Sequence, residues 1–301
     1  MESRRAAPRC SDSHYPASAH RLMFNGIAPI GVFDSGLGGM SVAAAIRRRL
    51  PNEAIVYVAD SGFAPYGEKT DAFIKARSRT LAHWLIRHGA KALVIACNTA
   101  TTHAIAQLRG EFDIPVIGVE PGIKPAAQSS AAKVVGLLAT AATLRSKRLQ
   151  ELLSRHGQGC RFVCQAGHGL VELIEQGIVA GASIDALLEK YLKPMAAAGA
   201  DTLVLGSTHY AFLMPSIRRV FGEQFHLIET GGAIACRVDD RLAECGLRAQ
   251  AQSADPALHL YSTAARTLPL RHLAQALSLT ASQVATVSVD MRWPHLPACS
   301  G

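Results

Sequence analysis

The chain has 301 residues, 49% hydrophobic and 18% charged, with a net charge of +8 and seven cysteines. Its length suits one large or two ordinary domains, and its balance is that of a soluble globular protein, which excludes disordered and fibrous classes. No apolar run reaches the roughly 20 residues of a membrane span, no apolar core follows Arg4, Arg5 and Arg9 as a secretory signal requires, and irregularly spaced cysteines read as reduced cytoplasmic thiols, not a disulfide framework.

Residues 1–26 mix Arg, Ser, His, Pro and Ala without a period and are expected to form a disordered extension, with Met23 an alternative start. A first strand at Ile30–Phe33 runs into the glycine-rich turn Asp34-Ser35-Gly36-Leu37-Gly38-Gly39 and a helix through Arg49. A second strand spans Ile55–Ala59, followed by a polar loop with Pro65-Tyr66-Gly67 and a helix from Asp71 to His88 with Gly89 as its C-cap. Then come the apolar run Ala92–Ala96, ending at Cys97-Asn98-Thr99, a helix over Thr102–Leu108 and a strand at Pro115–Val119. A second set opens at Val134–Leu138 and turns through Ala139–Ser146 into a helix to His156, with a strand at Arg161–Val163. Helices are expected over Leu170–Glu175 and Ile184–Ala198, then the run Thr202–Gly206 ending at Ser207-Thr208-His209-Tyr210, and a helix from Ala211 to Phe221. A strand at His226–Ile228, a helix from Gly231 to Cys245 and a strand–helix–strand tail to Val289 close the chain.

Strand–helix alternation predicts an α/β fold with mostly parallel sheets. Two echoes, Gly31–Ser41 with Gly136–Ser146 and the Cys97 strand with the Ser207 strand, predict two similar α/β domains: residues 27–121 with 230–301, and residues 122–229. Open α/β sheets bind ligands at the carboxyl ends of their strands. The active site is therefore expected at the domain interface, with Cys97 and Ser207 on opposite sides of one small pocket. Basic residues are scattered, as in Arg47-Arg48-Arg49, so solvated helix faces are expected and not a nucleic-acid surface.

Cys97 is the sharpest candidate for chemistry. It stands between a buried strand and a helix, where backbone N–H groups are expected to lower its thiol pKa from about 8.5; the alternative is an inert core thiol. Asp34 is either an Asx-turn or cap or a carboxylate that orients or deprotonates a ligand. The turn after it misses the dinucleotide fingerprint and lacks a P-loop lysine. His209 beside Ser207 could move protons at neutral pH, and Glu175 ends an apolar helix. Cys160, Cys164 and His168 have a loosely metal-like spacing without a further ligand cluster, so no metal site is expected. Cys10, Cys236, Cys245 and Cys299 read as structural or incidental.

Taken together, Val32–Gly39, Pro65-Tyr66-Gly67, Cys97-Asn98-Thr99-Ala100, Glu120–Ala126 and Gly206–Tyr210 resemble the motifs of glutamate racemases in order and spacing, from about residue 28 onward. The resemblance implies a cofactor-independent cytoplasmic isomerase that makes D-glutamate for peptidoglycan, in a family that commonly forms homodimers. It implies Cys97 as one acid/base, Asp34 and His209 assisting on the two sides, and Glu175 beside His209. Asp34, Ser35, Tyr66, Gly67, Asn98, Thr99, Thr143, Thr208 and His209 would meet the substrate. The family's second catalytic cysteine falls at Ser207, whose hydroxyl needs an activating base that a thiol does not. Three readings stay open: a racemase impaired or made asymmetric by Ser207, a one-thiol decarboxylase of the same fold, and a non-catalytic amino-acid or partner binder.

Overall fold

A computed structural model describes residues 28–157, 159–250 and 256–289. The expected N-terminal extension, Met23, Cys10 and Cys299 lie outside the described residues. Strand and helix alternate through β1 (Ile30–Asp34), α1 (Met40–Arg49), β2 (Ile55–Ala59), α2 (Asp71–Arg87), β3 (Ala92–Ile95), α3 (Asn98–Glu111) and β4 (Val116–Gly118). A short α4 (Ile123–Ser129) precedes β5 (Val134–Ala139), α5 (Ala141–Arg145), α6 (Lys147–His156) and β6 (Arg161–Ala166). Next are α7 (Leu170–Glu175), α8 (Ala182–Ala197), β7 (Thr202–Gly206), α9 (Met214–Phe221) and β8 (His226–Ile228). The described chain finishes with α10 (Gly231–Glu244), β9 (Leu258–Ser262), α11 (Leu268–Ala276) and β10 (Gln283–Thr286).

The strands form two sheets, ordered β10-β9-β2-β1-β3-β4 and β6-β5-β7-β8, and all the paired neighbours are parallel. Parallel sheets need apolar side chains on both faces because helices cover both. In the first sheet Val32, Tyr57 and Val94 pack against α1 and α10, while Phe33, Val56, Leu93 and Ile95 pack against α2 and α3. In the second, Leu203 and Leu205 face α7 and α8, and Val135, Leu137 and Val204 face α4 and α6.

The order β2-β1-β3-β4 repeats as β6-β5-β7-β8, which gives the two sequence echoes a common topological cause. In each sheet the leading strand pairs with its successor on one side and the third strand on the other. Such a reversal opens a crevice at the carboxyl ends. Phe33 pairs with Ile95 in register, and Ala139 with Gly206. Asp34 and Cys97 therefore leave the first sheet side by side, as Thr140 and Ser207 leave the second.

Several local details depart from the sequence reading. α3 starts at Asn98, four residues earlier than expected, because Cys97 itself caps it: its sulfur accepts from the Ala100 N–H at 3.4 Å. The helix expected from Ala211 begins at Met214; residues Thr208–Leu213 form a 3-10 turn instead. α4 was not anticipated, and β6 extends three residues beyond Val163. α2 ends at Arg87, and Gly89 follows with a φ of 81°, the left-handed conformation expected of it.

Candidate active site

The site grows from the turn after β1. The Asp34 side chain is fully buried and accepts bonds from both layers, a layer being one sheet with the helices and loops that cover it. The Ser35 N–H and hydroxyl donate to its Oδ1 at 2.7 and 3.2 Å. The Gly39 N–H and, from the second sheet, the Thr208 hydroxyl at 3.2 Å donate to its Oδ2. Cys97 donates through its sulfur to the Ser35 hydroxyl at 3.3 Å. A continuous path thus runs from Cys97 through Ser35 and Asp34 to Thr208, the residue after Ser207.

The expected lowering of the Cys97 pKa is overturned. Burial pushes the thiol well above its ordinary value, and the neighbouring Asp34 charge adds to this. The Ala100 and Ser35 backbone groups act in the expected direction but do not outweigh the loss of water. Burial likewise raises Asp34, offset in part by His209 and by the bond with Cys97. The resting sulfur is therefore a protonated thiol, hydrogen-bonded toward a carboxyl group that takes up protons more readily than usual.

On the far side, His209 Nε2 meets Glu175 Oε1 at 2.5 Å. Glu175 also accepts from the Leu37 N–H at 2.5 Å and the Ser61 hydroxyl at 2.8 Å, so one carboxylate joins α7 to two loops of the first layer. The turn must carry glycine here: a Cβ on Gly36 would lie 2.0 Å from Glu175 Oε1, and one on Gly38 would lie 2.3 Å from His209 Nδ1. Burial opposes the imidazolium, but the Glu175 bond and charge, with Asp34, raise the His209 pKa. Burial opposes the Glu175 carboxylate too, yet bonding and charge from His209 lower its pKa.

Ser207 is buried and follows β7; the Tyr210 N–H donates to its carbonyl. With Ser41, Thr208, Glu229 and Thr230 it lines a narrow cleft. Thr143 joins a hydroxyl cluster across the layers: Thr99 meets Thr140 at 2.9 Å and Thr143 at 3.4 Å. Asn98 is 3% exposed, and its amide nitrogen and oxygen are both buried without a hydrogen-bond partner in the structure. A buried amide with no partner carries a penalty that a ligand can relieve. Gly67 stands against Thr140, beside a small open cleft bounded also by Pro65, Ala141 and Gly167. The Tyr66 hydroxyl is turned away to Asp60 at 2.5 Å, and its carbonyl accepts from the Lys69 N–H at 3.1 Å.

Residues 39–238 match the Asp/Glu/Hydantoin racemase family model. A glutamate racemase of Cupriavidus pinatubonensis (strain JMP 134 / LMG 1197) is 52% identical over 263 residues, covering 87% of this chain and 96% of that protein. The chain belongs to the glutamate racemase family. The structure of Escherichia coli glutamate racemase in complex with L-glutamate and the activator UDP-MurNAc-Ala is 34% identical, with a TM-score of 0.77, covering 87% of this chain and 99% of the other. Francisella tularensis glutamate racemase in complex with D-glutamate is 28% identical, with a TM-score of 0.75 and coverage of 87% and 98%.

The sequence did not single out Asp60, Ser61, Arg77 or Thr140, which the structure brings next to the predicted site residues Glu175, Tyr66 and Thr99. Asp60 and Arg77 form an ion pair at 2.7 Å with both side chains fully buried; their separation along the chain gives no local signal. Cys160 donates to the Ala127 carbonyl at 3.5 Å, and among the described residues no group of three or more His, Cys, Asp or Glu could hold a metal ion. No helix among the described residues is long and apolar enough to cross a membrane.

The His209–Glu175 pair sets a pH dependence of stability. His209 is raised, so its contribution is full below the ordinary histidine range and is lost as pH climbs through the raised value. Glu175 is lowered, so its contribution is present above the ordinary carboxylate range and is lost as pH falls through the lowered value. Thermal unfolding followed from about pH 6 to pH 9 is expected to show an alkaline fall in Tm that Glu175→Gln removes. Parallel curves for the two proteins would refute the charged pair.

Proposed function

We propose that the chain interconverts L- and D-glutamate without a cofactor, moving the α-proton between the two faces of the bound amino acid. The observation that carries this reading is the path Cys97–Ser35–Asp34–Thr208, which spans the strand ends of both sheets in a member of this family. A single base returns a proton to the face it came from, so inversion needs a group on each side.

In the proposed cycle Cys97 loses its thiol proton to the Ser35 hydroxyl, and Ser35 passes its own to Asp34 Oδ1. The thiolate takes the substrate α-proton. Ser207, supplied through His209 and Glu175, delivers a proton to the opposite face, and the reverse sequence runs from the other enantiomer. Asn98, Thr99, Thr143, Thr208 and the Tyr66-Gly67 backbone hold the carboxylates and ammonium, and such preorganised donors stabilise the charge that develops on the α-carbon. The raised Cys97 pKa suits this cycle: the bound ammonium supplies a positive charge near the thiolate only when substrate is present. The reading extends to two domains, residues 27–121 with 230–301 and residues 122–229, to a homodimer, and to D-glutamate supply for peptidoglycan in the cytoplasm. A one-thiol decarboxylase or a non-catalytic binder has no observation of its own in its favour.

The test is α-proton exchange in heavy water, followed by NMR on L- and D-glutamate separately with optical rotation alongside. Exchange with inversion from both enantiomers is expected. Exchange from one enantiomer with retention would reduce the site to Cys97 alone, and glutamate binding without exchange would remove the catalytic reading.

A further inference from the structure

Beneath the loop that carries Tyr66 and Gly67 lies the fully buried carboxylate of Asp60, at the end of β2. Three side chains from three segments converge on it. The Tyr66 hydroxyl donates to Oδ2 at 2.5 Å. Arg77, from α2, donates through Nε to Oδ2 and through Nη2 to Oδ1, both at 2.7 Å. Thr263, just past β9, donates through its hydroxyl to Oδ1 at 2.9 Å. The backbone of Asp60 is tied as well: its N–H donates to the Asp34 carbonyl, and its carbonyl accepts from the Phe63 N–H, both at 2.9 Å. Arg77 also donates to the Val289 carbonyl and lies 4.1 Å from the centre of the Phe63 ring.

The loop 61–68 thus starts on the Asp60 backbone and is caught again at Tyr66 by the Asp60 carboxylate. Two of its residues reach the second sheet, Ser61 by donating to Glu175 and Gly67 by abutting Thr140, while the Gly62 N–H donates back to Thr263 at 3.1 Å. A buried ion pair is a weak source of stability, because desolvation offsets the attraction, whereas fixed geometry is its better-attested use. Here the geometry that is fixed is the distance from Asp34 to Tyr66-Gly67. Thr263 and Val289 bring the last two strands of the first sheet into the same arrangement.

We propose that Asp60 is a positioning residue: its carboxylate, held by Arg77 and Thr263, anchors Tyr66 so that the 66–67 backbone faces the substrate. This rests on the racemase reading for the identity of the substrate but not for the anchoring itself. Because Asp60→Ala leaves a buried arginine uncompensated, gentler variants are used: Tyr66→Phe, Thr263→Val and the control Thr263→Ser. L-glutamate affinity is measured by calorimetry, and amide hydrogen exchange is read on peptides covering residues 61–68. Tyr66→Phe and Thr263→Val are expected to speed exchange in that segment and weaken binding by about tenfold, the size of one hydrogen bond to a charged group; Thr263→Ser restores both. A lowered Tm with unchanged affinity would mean a merely structural role and overturn the proposal, as would unaltered exchange. If the unsubstituted chain binds no L-glutamate, the racemase reading falls, while the exchange of 61–68 still decides whether Asp60 anchors the loop.

Discussion

Replacing Cys97 by alanine is expected to lower α-proton exchange from both glutamate enantiomers by about 10³-fold or more. One positioned acid/base group contributes roughly 10²–10⁴, and in the proposed cycle this one serves both directions, as base for one enantiomer and acid for the other. Its loss breaks the path to Asp34, since the Ser35 hydroxyl then has no sulfur at 3.3 Å to accept from. Glutamate affinity should change little, because Asn98, Thr99 and Thr143 keep their places. Heavy-water NMR on the purified variant, with calorimetry alongside, reads both quantities. Exchange retained within tenfold would show that the proton leaves to another group and would remove Cys97 from the reaction.

Ser207→Cys is expected to raise racemisation by about 10²–10³-fold, within the span of one acid/base group. A thiol's ordinary pKa is about 8.5, and even raised by burial it lies far below that of a hydroxyl, which needs a base to deprotonate it. The effect should be largest in kcat, since the added capability operates on the proton in flight and not on the bound ground state. Polarimetry from each enantiomer, comparing kcat and KM, checks it. No gain would mean that position 207 does not face the α-carbon opposite Cys97, and the two-sided mechanism would need another donor. Serine and cysteine differ only in oxygen for sulfur, so the volume change at this buried position is small beside the chemistry it adds.

Much of the architecture was legible because parallel sheets write themselves as short, wholly apolar runs. The runs at Ile55–Ala59, Ala92–Ile95 and Thr202–Gly206 are buried at each position, and turn residues bound them. Elements without such a signal were missed. α4 has only seven residues and carries Pro125, so no helical period develops. The 3-10 turn at Thr208–Leu213 is decided by tertiary bonds, notably Thr208 to Asp34, and not by propensity. In the site, the residue types that carry polar chemistry were visible at the strand ends, but their electrostatics were not. The direction of the Cys97 shift depends on how fully the sulfur is buried and how near Asp34 lies. Asp60 and Arg77 stayed hidden for the same reason: a charge pair seventeen residues apart acquires meaning only once burial removes its solvent.

The bonds that cross between the two layers have a kinetic consequence. Glu175 with Leu37 and Ser61, Asp34 with Thr208, and Thr99 with Thr140 and Thr143 all hold the layers together over side chains that are almost wholly enclosed. Asn98 at 3% and Cys97 at 4% exposure are almost closed to bulk solvent. Glutamate is therefore expected to bind at a rate set by the parting of these bonds and not by its own diffusion, which stopped-flow binding would check against the diffusion limit. A compound designed to fill the closed arrangement would meet the same delay. One that wedges between Glu175 and Ser61 while the layers stand apart would be captured sooner, and would hold the enzyme in its idle form.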